Sequence, residues 1–115
     1  MKVYSFKKEN GKKIRKFDSN FVMSKIAHTK TATHIGCMHL DEKGIIGYHK
    51  AVIPQILHVV SGEGEVRGEI DEYVKVEEGD AIYWEKGECH ETRTEKGLTA
   101  IVMENEDLES GVIVR

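Results

Sequence analysis

Cysteine is almost missing from this chain: Cys37 and Cys89 are the only two. That is too few for a disulfide framework, so the reading is a reducing, cytoplasmic compartment, with both thiols buried as structural side chains in preference to a redox pair. Proline occurs once, at Pro54, at a strand entrance where a missing donor is tolerated. No apolar run approaches the roughly 20 residues of a membrane span. The opening Met1–Lys7 has no apolar stretch followed by small residues, so it does not read as a secretion signal. No segment keeps a helical period over three turns, and no Gly-x-Ser-x-Gly elbow is present. Gly62-Glu63-Gly64 and Gly44-Ile45-Ile46-Gly47 open no helix, which removes the phosphate-cradle reading.

Charge is distributed unevenly. Residues 1–16 hold seven basic side chains against the single acid Glu9, a local net of +6, whereas the whole chain of 115 residues carries −3. The remainder is therefore strongly acidic and would repel phosphate, and the basic segment lacks aromatics at stacking spacing. A nucleic-acid partner is excluded on that ground. A solvated edge strand guarded by lysines accounts better for the opening segment.

What is present is a series of short apolar and alternating runs. A hairpin is predicted from Lys2–Phe6 and Lys12–Phe17 around Glu9-Asn10-Gly11. Strands are predicted over Phe21–Ala27 and Ala32–Leu40, with a turn at 41–44 leading into Ile45. Gln55–Ser61 is the most apolar strand, with Gly62-Glu63-Gly64 turning it into Glu65–Gly68. Tyr73–Glu77, Asp80–Trp84, Cys89–Thr94 and Leu98–Glu104 complete the set. Turn residues at such short intervals indicate an all-β sandwich or barrel. The only tryptophan, Trp84, does not lie between spaced cysteines, which removes the immunoglobulin pattern and leaves a jelly roll. The sheet holding Gln55–Ser61 is expected to face that holding Ala81–Trp84 or its neighbours.

Two segments share one layout, a histidine beside a turn next to an apolar run closed by glycine. They are Gly47-Tyr48-His49 through Gln55 to Gly62, and Gly79 through Gly87 to His90. Together they resemble the paired motifs of the cupins, small jelly-roll barrels. The first cupin motif is histidine, any residue, histidine, three or four residues, glutamate, six residues and glycine. His49 and Gly62 match it, while Ala51 stands at the second histidine and Gln55 at the glutamate. The second motif is glycine, five residues, proline, one residue, glycine, two residues and histidine. Gly79, Gly87 and His90 match, with Glu85 in place of the proline. The resemblance runs from about Ala32 to Glu104. It implies a double-stranded β-helix barrel and one cupin domain over 1–115. The barrel core would be 32–104, with the strands of 1–31 at a homodimer interface together with the apolar Phe21-Val22-Met23.

The resemblance also implies a divalent transition metal, iron, manganese, nickel, copper or zinc, held by histidines and a carboxylate. The candidate ligands are His49, His90, Gln55 and Glu88. Ala51 cannot ligate, and Gln55 offers only a neutral amide oxygen. Glu88 lies two residues before His90, so an extended backbone would point both side chains the same way and complete a two-histidine, one-carboxylate set. Glu91 and Cys89 alternate away from His90. His34 and His39, five apart in one strand, point to opposite faces, so at most one enters the barrel; they, His28 and His58 are read as structural or surface histidines. Tyr48 and Trp84 are the candidate pocket-lining side chains for a small-molecule ligand. Two functions follow: a metal-binding cupin of dioxygenase-like or isomerase-like kind acting on a small polar molecule, or a non-enzymatic module binding such a molecule without metal.

Overall fold

The structure, a computed structural model, describes residues 1–108. The last seven residues of the expected 1–115 domain lie outside the described residues. The strands are β1 (Lys2–Ser5), β2 (Lys12–Ile14), β3 (Phe21–Met23), β4 (His34–Leu40), β5 (Ile45–Lys50), β6 (Gln55–Arg67), β7 (Val74–Glu77), β8 (Asp80–Trp84), β9 (Cys89–Arg93) and β10 (Leu98–Glu104). All pairings are antiparallel. One layer runs β1-β8-β6-β10-β4, and the other is built from β5, β9, β6 and β7. This is the all-β jelly roll predicted from turn spacing. No helix among the described residues is long and apolar enough to cross a membrane.

β6 belongs to both layers, which corrects the predicted turn at Gly62-Glu63-Gly64. Its first half pairs with β8 and β10, and its second half with β7 and β9. The strand does not reverse at Gly62; it bends through a bulge, where the register against β10 shifts between Thr99 and Ala100. Gly62 sits at φ +83°, and a Cβ there would lie 2.3 Å from the Gly97 carbonyl oxygen. The glycine signal was real, but it marks a bend within a strand.

Between the layers lies a core of Leu57, Val59, Val66, Val76, Ile82, Trp84, Leu98, Ala100 and Val102. Strand alternation produces it: every second residue of β6, β8 and β10 points inward. The intervening residues Ile56 and Ala81 pack on the outer face with Tyr4, Phe6 and Leu108. β6 and β8 are thus neighbours in one sheet; of the two expected facing partners it is not Ala81–Trp84 itself but its neighbour in the chain, β9, that lies in the other layer.

The N-terminal hairpin is also corrected. β1 pairs with β8, while β2 pairs with β3 in a separate two-stranded sheet. β1 carries Val3 toward one core cluster and Tyr4 toward the other, so it gains burial on both faces. β2 reads Lys-Lys-Ile and has almost nothing to bury. Hydrophobic burial outweighs the local turn signal. The expected strands 21–27 and 32–40 shorten to Phe21–Met23 and His34–Leu40. Asn105, fully buried, pins the entry to β4. Its side-chain Nδ2 donates to Thr31 O, Thr31 Oγ1, Ala32 O and Thr33 Oγ1 at 2.9–3.2 Å. The cysteines also depart from expectation: Cys37 is exposed and Cys89 half-buried, so neither is a core thiol.

Candidate functional site

His49 on β5 stands directly opposite His90 on β9. Cross-strand partners share a face, and His90 is only 2% exposed, so the face is the barrel interior. The ring centroids are 4.4 Å apart at an interplanar angle of 58°. A register shift between Ile46 and His49 is what brings His49 inward. Ile46 already packs on the core, and simple alternation would send a residue three further along to the outside.

Both rings are held alike. His49 Nδ1 lies 2.7 Å from the Gly47 carbonyl oxygen, and His90 Nδ1 lies 3.3 Å from that of Glu88. A carbonyl oxygen can only accept, so each Nδ1 carries a proton, and in the neutral ring Nε2 then keeps its lone pair. The Glu88 carbonyl also accepts from Ala51 N at 2.9 Å, tying the end of β5 to the start of β9. Burial lowers the pKa of His90, opposed by its bond to the Glu88 carbonyl; His49 lowers it further, and the charges of Glu88 and Glu104 raise it. The neutral, ligand-competent imidazole is thereby favoured.

Trp84, fully buried, stacks on His90 with centroids 4.2 Å apart at 19°. Tyr83, its neighbour, turns to the outer cluster. Gln55 is cross-strand partner to Trp84 and 8% exposed, so it shares the interior face. Thr92 follows His90 on the same face. Trp84 Nε1 and Thr92 Oγ1 are buried without a hydrogen-bond partner among the described residues. Unpaired buried groups of this kind cost about 1–3 kcal/mol each, so a polar ligand reaching them would be stabilised by satisfying them.

Two expected residues are placed elsewhere. The Glu88 carboxylate does not join the histidines: it accepts from the Met1 α-ammonium at 2.5 Å and from Glu85 N at 3.1 Å. The alternation argument fails because Glu85–Glu88 is a turn, closed by Glu88 N donating to Glu85 O at 3.1 Å, and only from Cys89 is the backbone extended. Tyr48 does not line the interior. It is 46% exposed on the outer face, with the Arg67 guanidinium 4.3 Å above its ring.

Sequence reasoning passed over Glu104, and it read His34 as a structural or surface residue. Glu104 is cross-strand partner to Gln55, and His34 to Glu104. The available signal was the pattern Leu98, Ala100, Val102, Glu104: an acid in line with three inward apolar positions. The site offers two imidazoles as possible metal donors, with ring centroids 4.4 Å apart. Among the described residues no three His, Cys, Asp or Glu side chains converge on one point.

A family model described as a cupin domain matches residues 36–104, more than half of the chain. No curated protein matches. Solved structures do. A conserved protein of unknown function from Streptococcus pyogenes is 21% identical with a TM-score of 0.59, over 66% of each chain. A cupin superfamily protein from Desulfitobacterium hafniense is 10% identical with a TM-score of 0.61, over 71% of this chain and 75% of that one. A DMSP lyase from Ruegeria pomeroyi is 20% identical with a TM-score of 0.60, over 82% of this chain but 45% of its own. The chain thus spans about two thirds of the first of these and under half of the last.

Proposed function

Because this chain belongs to the cupin family, we propose that it binds a divalent transition metal through Nε2 of His49 and His90, with a small polar molecule as its ligand at the barrel mouth. The observation that carries this reading is the matched tautomer: both imidazoles donate Nδ1–H to a backbone carbonyl. Metal-ligating histidines are oriented by such second bonds. Gln55 offers a neutral amide oxygen from the adjoining wall, and Trp84 fixes the plane of the His90 ring. A bound metal would supply Lewis acidity toward a carbonyl or carboxylate oxygen. The chain's own part is to hold the ligand against the Trp84–His90 stack and to present Trp84 Nε1–H and Thr92 Oγ1 to its polar atoms. The named lyase among the fold neighbours indicates that this architecture can host enzymes, but fold does not assign the reaction.

Calorimetric titration with iron, manganese, nickel, copper and zinc tests the reading. At least one ion should bind the wild type, and His90→Ala should lose about 100-fold or more in affinity. Equal affinity in both proteins would end it. The second reading, a metal-free binding module, is favoured by the lack, among the described residues, of a third converging His, Cys, Asp or Glu and by the Trp84 and Thr92 atoms that are unpaired there.

A two-fold dimer through the β2–β3 region belongs to the same proposal. Phe21 and Met23, 47 and 50% exposed, share a face of a two-stranded sheet that is marginal alone, and Phe17 in the turn joining its strands is 96% exposed. Sedimentation at roughly tens of micromolar should show the dimer; monomer alone would refute this part.

A further inference from the structure

Lys12, Lys13, Arg15 and Lys16 stand exposed on β2 and the turn that follows it. None of these four cations makes a hydrogen bond or ion pair through its side chain among the described residues. Phe17 at the tip is 96% exposed on left-handed backbone, with φ at 58°, and Asp18 follows at 59°. That conformation costs a side-chain-bearing residue roughly 1–2 kcal/mol, and no burial within the chain offsets it at Phe17. Ile14, Phe21 and Met23 add apolar area on the face of the hairpin that also carries Lys12.

The opposite charge is gathered at the other end of β1. The loop joining β6 to β7 reads Glu69-Ile70-Asp71-Glu72, all four exposed, with Ile70 at 76%. The Glu69 and Glu72 carboxylates make no hydrogen bond or ion pair among the described residues, and Asp71 approaches only Arg67, at 3.8 Å. Gly68, at the head of the loop, lies against Met1: a Cβ there would be 3.5 Å from the Met1 Cβ. The loop thus sits where β1 starts. The hairpin is reached from the far end of β1, where Phe6 N donates to Gly79 O at 2.7 Å. β1 has four residues and so spans about 13 Å, and no ion pair joins hairpin to loop within one chain among the described residues.

We propose that the β2–β3 hairpin of one copy docks on the β6–β7 loop of a second copy, with Arg15 and Lys16 against Glu69 and Glu72 and Phe17 beside Ile70. The proposal rests on the dimer reading above and names the surface that the hairpin meets. In a two-fold pair each contact is returned, so the hairpin and the loop of both copies are covered at once. Charge decides the occupant. Residues 1–16 carry +6 and the whole chain −3, which leaves −9 on the remainder. Such a body repels an anionic lipid surface and attracts the hairpin of another copy.

Sedimentation of two charge-reversed variants of the full chain tests this. Arg15→Glu/Lys16→Glu and Glu69→Lys/Glu72→Lys should each weaken self-association about tenfold or more, because like charges then meet at both contacts. Mixed in equal amounts, the two should dimerise like wild type, since each hairpin then faces a loop of opposite sign. Two misfolded chains would not recover in that way. A mixture as monomeric as its components overturns the proposal. So does a wild-type dimer that both variants retain unweakened, an outcome that leaves the apolar contact of Phe21 and Met23 standing. Wild type that is monomeric at roughly tens of micromolar removes the dimer reading and this proposal with it. Pelleting of that monomer with phosphatidylserine vesicles, lost in Arg15→Glu/Lys16→Glu, would assign the hairpin to a lipid surface instead.

Discussion

β8 and β10 differ sharply from β4 and β5, although all four border the same barrel mouth. In β8, Asp80, Ala81, Ile82 and Trp84 are fully buried, and in β10 Leu98, Ala100 and Val102 are nearly so. In β4 every residue but Leu40 is exposed, and in β5 every residue but Ile46. The glycines repeat the contrast. A Cβ on Gly62 would meet the Gly97 carbonyl at 2.3 Å, whereas one on Gly36 or Gly47 would meet nothing within 4 Å. The barrel mouth is therefore bordered by packed strands that carry Trp84, Gln55 and Glu104, and by one exposed strand in each layer, carrying His34 and His49. Local opening is easiest where few apolar contacts hold a strand, so ligand binding should order β4 and β5 rather than β8 and β10.

The strongest way to break the contrast is Trp84→Ala. It removes a fully buried ring and the platform under His90, and should cost about 3–5 kcal/mol. Ile35→Ala, at a side chain 67% exposed on β4, should cost no more than about 0.5 kcal/mol. Denaturant titration measures both. Similar losses would show that β4 is as firmly packed as β8.

A smaller effect distinguishes packed from exposed strands by pH. Burial holds the pKa of His90, and separately that of His58, below the ordinary histidine value. Between the lowered folded value and the unfolded value near ~6.5 the unfolded chain binds more protons, so stability must fall as pH drops through that window. The denaturation midpoint should be lower at about pH 5 than at about pH 8, and His90→Gln should flatten the slope. An unchanged slope in that variant would mean that His90 titrates normally, in a wet site. Metal affinity should fall over the same range, because a protonated imidazole cannot ligate.

The fold was legible because alternation and glycine spacing report burial strand by strand. His49 and His90 were legible through their two motifs, yet their convergence depends on a bulge between Ile46 and His49 that no periodicity shows. Glu88 misled because two-residue alternation was applied across a turn. Glu104 and His34 became visible only with the register, since sequence does not tell which strands lie side by side. Tyr48 and Trp84, offered as a pair, fall on opposite faces for a similar reason.

The smallest expected effect is the sharpest test of the exposed strands. Gly36→Ala and Gly47→Ala place a methyl group where nothing lies within 4 Å, and neither glycine has a positive φ. Alanine restricts the unfolded chain more than glycine does, so each change should be neutral or stabilising by up to about 1 kcal/mol. The Gly47 carbonyl, which orients His49, is left in place, so metal affinity should also be unchanged. Thermal melts and the metal titration, each run at two protein concentrations, read the outcome. A loss above about 1 kcal/mol in either variant would mean that its strand is covered in solution. A loss that grows with protein concentration would identify the cover as a second copy of the chain, and would move the dimer contact from the β2–β3 region to β4 and β5.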